Sequence, residues 1–238
     1  MITVMLLVLG LVIGSFLGAL SYRLPRGIDI NHGRSFCETC KKQIRWYDNI
    51  PLLSYLILGG KCRDCHKKIS PREPLIELAS AIIFVFVGFN IINLILAAIL
   101  ITIFVIDLEH QIIPDELVYI GIFVLILSFL ISNNQLIFVN LLAGFISALI
   151  LLFLNIVTDG KGMGLGDVKL ALLIGSIVGI NLFFVWLLYS FVSGAIVGII
   201  LIITKKATLK YKIAFGPFLI IGLVLTIYFG NSLFRLMI

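Results

Sequence analysis

Gly162-Met163-Gly164-Leu165-Gly166-Asp167-Val168-Lys169-Leu170 sets three glycines at alternate positions ahead of an aspartate, then returns at once to an apolar run of membrane grade. Glycines there let the backbone take φ > 0 and approach another segment more closely than a side chain permits. The acid stands at the edge of a hydrophobic span. Burying its charge costs on the order of 2.5 to 3.5 kcal/mol on insertion scales unless a partner or water offsets it. Asp167 is therefore a functional candidate; the plain alternative is that it caps the helix that follows, Asp being a favoured N-cap.

The surroundings of this stretch fix the fold class. The chain has 238 residues, 61% of them hydrophobic and 13% charged, with a mean hydropathy of +1.19. No ordinary soluble domain has that composition. Eight apolar runs near bilayer length are legible: Ile2–Tyr22, Leu75–Phe89, Ile91–Ile106, Leu117–Ile131, Leu136–Val157, Val168–Ile180, Leu182–Ile203 and Ile213–Leu236. The second and third are separated only by Asn90 and Asn93, and the sixth is short. The expectation is an all-α polytopic membrane protein of about eight transmembrane helices.

Charge sets the orientation. Ten Lys and Arg against four acids fall between Pro25 and Arg72, an excess that the positive-inside rule places in the cytoplasm. The net charge of +6 then reports topology, and nothing in it points to nucleic acid. The first run has no basic residue before it and Arg23 and Arg26 after it, the reverse of a cleavable signal, so it reads as a retained helix with its N-terminus outside. This divides the chain into a first transmembrane helix (1–24), a cytoplasmic cysteine-bearing loop module (25–74) and a membrane domain (75–238).

The loop carries Cys37-x-x-Cys40 and Cys62-x-x-Cys65. In a reducing compartment two such knuckles are unlike disulfides, and four thiolates at this spacing can close a tetrahedral structural zinc site, stapling a segment too small to build much core. A metal closed in by four thiolates has no open position for chemistry. His32 and His66 read as solvated loop histidines. The aromatic stretch Trp46–Ile57 either packs as the module's core or lies in the membrane interface, where Trp and Tyr prefer to sit.

A second acid, Asp107, stands where the third apolar run ends. Two carboxyls held a few Å apart cannot both ionise, so one keeps a proton while the other can take one from water, the division of labour of an aspartic peptidase. Asp115, after Pro114, reads as the start of the next helix. Glu77 and Lys169 are two further charges near the same level, expected either to pair across helices or to reach the interface separately.

Taken together, Gly14-Ser15-Phe16-Leu17, Tyr22-Arg23-Leu24-Pro25, Arg34-Ser35-Phe36-Cys37, Asn49 to Tyr55, the second knuckle, Ile69 to Glu77, Asp107 to Asp115 and Gly164 to Leu170 resemble the type IV prepilin peptidases, bifunctional leader peptidases and N-methyltransferases of the GxGD aspartic membrane protease group. The resemblance implies that Asp107 and Asp167 are the catalytic pair. The implied substrate is a prepilin or pseudopilin, its short basic leader cut after a glycine at the cytoplasmic face of the bacterial inner membrane. It further implies that the new N-terminal residue is methylated with S-adenosylmethionine, with Gly60 tied to that second step. From the residues alone, an ion-coupled transporter and a non-enzymatic zinc-stapled scaffold of a pilus or secretion assembly stay open, and oligomeric state is not legible.

Overall fold

The structure, a computed structural model, describes residues 1–29, 35–37, 39–131, 136–206 and 213–237; His32 lies outside them. The described residues form nine α-helices: α1 (Ile2–Arg23), α2 (Leu53–Ile57), α3 (Arg72–Val87), α4 (Ile91–His110), α5 (Asp115–Ile131), α6 (Ile137–Val157), α7 (Leu165–Val178), α8 (Phe183–Ile203) and α9 (Gly216–Met237). All but α2 coincide with the eight apolar runs. Five of the eight (α1, α4, α6, α8 and α9) are long and apolar enough to cross a bilayer by themselves. The break between α3 and α4 has a cause: Gly88 takes φ +77°, and the Asn90 side chain accepts the Asn93 N–H at 3.1 Å, an Asn cap that starts a new helix. The chain divides into two compact units, Met1–Thr102 and Ile103–Ile238.

In the first unit α1 and α3 pack antiparallel along a stripe of small residues. A Cβ at Gly10 would lie 2.5 Å from the Ala81 backbone and one at Gly14 2.7 Å from that of Glu77, while Gly18 faces the Glu73 side chain. Glycines four apart on one helix face let two backbones close up, which is how membrane helices gain packing energy where lipid supplies no hydrophobic drive. Glu77, 6% exposed, accepts the N–H of Leu52 at 2.9 Å. That bond reaches a residue held at φ +58° and fastens the loop module to α3.

The second unit is organised around α7. Its Leu170, Ala171, Leu173 and Ile174 are wholly buried, so this helix of 14 residues needs no length to meet lipid because its neighbours sheathe it. Gly144 of α6 abuts the Leu172 carbonyl, and Gly175 of α7 lies against Ser147. Ser147, Ser176 and Ser190 are buried and each bonds a carbonyl four residues back at 2.8 Å, which removes the cost of a bare hydroxyl in an apolar bundle. The Trp186 indole donates to the Leu219 carbonyl at 2.9 Å, joining α8 to α9.

Candidate active site

Asp107 lies one turn from the end of α4 and is 4% exposed; Asp167 lies in the first turn of α7 and is 8% exposed. Both belong to the second unit. Helix α7 starts three residues earlier than its apolar run, so Asp167 is not the N-cap. Gly164 holds that position, and the Asp167 carboxylate reaches back to accept the Gly164 N–H at 3.0 Å, half of a capping box. The alternating glycines do not use positive φ: among Gly162, Gly164 and Gly166 none has it, and what they provide is close approach, Gly166 against Ile113 and Gly162 against Thr158. The segment is pinned by α6, whose Asn155 amide donates to the Met163 carbonyl at 2.5 Å and whose Thr158 hydroxyl accepts the Gly162 N–H at 3.1 Å.

Asp107 is held from elsewhere. The N–H of Gly216, first residue of α9, donates to its carboxylate at 3.0 Å across 109 positions of sequence. The first N–H groups of a helix lack intrahelical acceptors and carry the positive end of its dipole, so they suit an anion. The Ile113 side chain lies against both Gly166 and Gly216 and so touches the backbone beside one acid and the residue that grips the other. The two carboxyls interact electrostatically. Each has one backbone donor, and among the described residues neither has a cationic partner. Gly216, Ile113 and Asn155 were not singled out by sequence reasoning. Only Gly216 carries a local signal, the proline after it at a helix start.

Glu77 and Lys169, expected either to pair or to reach the interface separately, each have a partner within their own unit. Glu77 is taken by the Leu52 N–H, and the Lys169 ammonium lies 2.7 Å from both carboxylate oxygens of Asp115. Asp115 does begin α5 as expected, with its carboxylate committed to this ion pair.

The four cysteines come together, their sulfurs all within 4.8 Å of one another, a donor set that fits a tetrahedral metal ion. Both knuckles use one turn. Cys37 N–H bonds the Lys42 carbonyl and Cys62 N–H the Lys67 carbonyl, each at 2.9 Å, with left-handed Lys41 (φ 59°) and His66 (φ 57°) at matching places. The backbone N–H of Cys40, above all, holds the Cys37 thiol down at about 6. The N–H of Lys67 pulls Cys65 the same way, but burial and the neighbouring thiols outweigh it and push that thiol up to about 11. Four such sulfurs carry their full charge together only around a cation. The knuckles are cross-tied by Lys42 and Asp64 at 3.1 Å, and Arg63 grips Asp48 with two nitrogens at 2.6 and 2.9 Å.

Of the two readings of the stretch between the knuckles, packing as a core is not what occurs: Trp46, Leu53, Leu56 and Ile57 are all well over half exposed. An exposed apolar and aromatic face suits a membrane interface. Gly60 sits in the turn after α2 at φ +67°, where a Cβ would meet the Tyr55 hydroxyl at 3.0 Å. The left-handed conformation favours glycine there, and a side chain would also push on the Tyr55 ring.

Fold and site together define a multi-pass membrane protein with two buried carboxyls in one helical unit, each held by a backbone N–H, and a cysteine cluster able to hold a metal in the other. The chain belongs to the type IV leader peptidase family: residues 94–199 match the model of that family, and residues 8–91 match the bacterial peptidase A24 N-terminal domain. It is 32% identical to the prepilin leader peptidase/N-methyltransferase of Pseudomonas aeruginosa, over 96% of this chain and 91% of that protein. It is 34% identical to that of Vibrio cholerae, over 93% and 94%. A type 4 prepilin-like proteins leader peptide-processing enzyme of Escherichia coli is 36% identical, over 92% and 91%. No solved structure matches the chain.

Proposed function

We propose that this enzyme is an aspartic endopeptidase of the bacterial inner membrane that removes the leader of type IV prepilins or pseudopilins, with Asp107 and Asp167 as its catalytic pair. The observation that carries the reading is the burial of both carboxyls in one unit with a backbone donor apiece and, among the described residues, no cation. One acid then keeps a proton and polarises the scissile carbonyl while the other takes a proton from the attacking water. The amide C–N bond breaks from the resulting diol, and the proton returns to the departing amine. Residues 75–238 form the peptidase domain, 1–24 the first span and 25–74 the loop module. The excess of Lys and Arg in the loop supports a cytoplasmic module, a cytoplasmic level for both acids and an N-terminus outside. A charged leader followed by an apolar helix presents its cut bond at that level.

In the same reading Cys37, Cys40, Cys62 and Cys65 bind a structural Zn2+, and the chain N-methylates the new N-terminus. S-adenosylmethionine would supply the methyl group. A cavity of about 360 Å³ in the first unit, lined by Ser15, Phe16, Arg23, Ser35 and Asn49 among others, has the size of a small-molecule site and polar groups to orient such a ligand. Gly60 does not line it, so its part in methylation would be to keep the loop's shape.

Purified protein mixed with a prepilin should yield the shortened product. Asp107→Asn and Asp167→Asn should each abolish it while metal content and membrane insertion persist. Cleavage at the normal rate by either variant removes that residue from the pair. Failure of the wild-type chain to cleave any prepilin returns the choice to the transporter or scaffold readings.

A further inference from the structure

Lys169 follows Asp167 by two positions on α7, so at about 100° per residue it projects from nearly the opposite side of the helix. Its ammonium bonds both oxygens of Asp115 at 2.7 Å. The two side chains are 39% and 48% exposed, so the pair lies at the surface of the unit. Asp115 opens α5, and the short connection to it from the end of α4, one turn beyond Asp107, carries Ile113. Ile113 in turn lies against Gly166, next to Asp167, and against Gly216, whose N–H grips Asp107. The connection is thus fastened at one end by the helix bearing one acid and at the other by an ion pair to the helix bearing the second, with the Ile113 wedge between them.

We propose that the Asp115–Lys169 ion pair is a strap that fixes the spacing of Asp107 and Asp167, making Asp115 and Lys169 positioning residues for the hydrolysis. This rests on the reading of those two acids as the catalytic pair. An ion pair so exposed adds little to stability in water, but these two charges bridge elements 54 positions apart at a connection with almost no slack. When the strap is released, α5 and α7 part at this end, Ile113 follows the connection, and the carboxyls lose their mutual register. Neither strap residue touches the substrate, so the loss falls on turnover and not on binding.

The test uses full-length, metal-loaded protein in liposomes with a purified prepilin. Asp115→Asn and Lys169→Gln should each lower kcat by roughly tenfold, the scale of a sub-ångström misplacement, with KM within about twofold of wild type. The double variant should lose no more than the worse single, because one interaction is removed either way. Lys169→Arg, which can still bridge Asp115, should keep most of the activity. Melting temperatures within a degree or two of wild type would show that the variants fold. Wild-type kcat in both singles overturns the strap, as does a double whose losses multiply or a loss carried by KM. Asp107→Asn is measured beside them: if it still cleaves, the reading of the pair fails. If it is inactive while Asp115→Asn is fully active, only the strap fails.

Discussion

Gly216 has no side chain, and the geometry says what adding one does. A Cβ built there lies 2.5 Å from the Asp107 carboxylate oxygen and 3.2 Å from the Ile113 methyl. Ordinary contact is roughly 1 Å longer than the first of these distances, so Gly216→Ala displaces the Asp107 carboxyl by about 1 Å or else lengthens the Gly216 N–H bond by as much. The offending atom is the end of a side chain, and Gly216 does not use positive φ, so the backbone accepts alanine. The cost therefore falls on the position of one acid. Misplacing a reacting group by 1 Å loses on the order of 10²-fold in rate, equivalent to about 2.7 kcal/mol of barrier. Two further glycines calibrate the effect. At Gly164 the added carbon lies 3.2 Å from the Asp167 carboxylate, so Gly164→Ala should lose only a few-fold. At Gly198 its nearest neighbour is Ile213 at 3.8 Å, so Gly198→Ala should cleave normally and, with alanine the better helix former by about 1 kcal/mol, melt no lower. The assay is single-turnover cleavage of a prepilin in liposomes, with metal content and melting temperature as fold controls. Gly216→Ala cleaving within threefold of wild type, with Asp107→Asn inactive, would refute the reasoning.

Four other outcomes follow from the same coordinates. If the cysteine cluster is the metal site proposed above, Cys62→Ser should lower the metal content of the purified protein, measured by elemental analysis, while leaving leader cleavage above half of wild type, since no sulfur enters the proposed peptidase chemistry. Trp186→Phe removes the indole hydrogen bond to the Leu219 carbonyl, which keeps its donor within α9, and should destabilise the second unit by about 0.5–1.5 kcal/mol, read by thermal denaturation in detergent. Gly144→Val drives a branched side chain into the Leu172 carbonyl and Ser176, and should cost about 1–3 kcal/mol or more, or prevent accumulation of folded protein altogether. Arg63 holds the Asp48 carboxyl below the usual range through their hydrogen bonds. That contribution is therefore present above the ordinary carboxylate value of about 3.9 and is lost as pH falls through the lowered one. In metal-free protein, Asp48→Asn should raise proteolysis of the loop module at pH 6, and the difference from wild type should shrink as the pH is taken below the ordinary carboxylate value.

The eight apolar helices were legible because membrane insertion is read almost entirely from local hydropathy. Even the doubtful break before α4 rested on Asn90, whose side chain caps the new helix. Helix α7 began earlier than its apolar run because the start of a helix is set by where backbone donors find partners, and Asp167 supplies one for Gly164. The cysteine cluster was legible from spacing because the knuckle is a local turn used twice. What could not be read were the choices of distant partner. Gly216 finds Asp107 across 109 positions, and Lys169 takes Asp115 in place of Glu77. Each joins helices far apart in sequence, α9 to α4 and α7 to α5, and that packing has no local signal. The Trp46–Ile57 stretch shows a related limit: its apolar pattern states that it leaves water, and only the fold shows that it does so without packing as a core.

These partner choices have a shared chemical consequence. A pair of carboxyls can divide acid and base roles only if no nearby cation keeps both ionised, yet buried acids need some favourable contact or the site would not form. A backbone N–H meets both demands, because it fixes one oxygen in place without bringing a full charge. Glycine is the residue at which that N–H can be reached most closely, and both donors here belong to glycines, Gly164 and Gly216. The base nearest in sequence to either acid is Lys169, and it is doubly removed, first by its place on the far side of α7 and then by the grip of Asp115. Replacing either glycine N–H by a lysine ammonium would strengthen the local electrostatics and, on this argument, remove the activity, since a stronger hold on the carboxylates is a hold on the wrong protonation state.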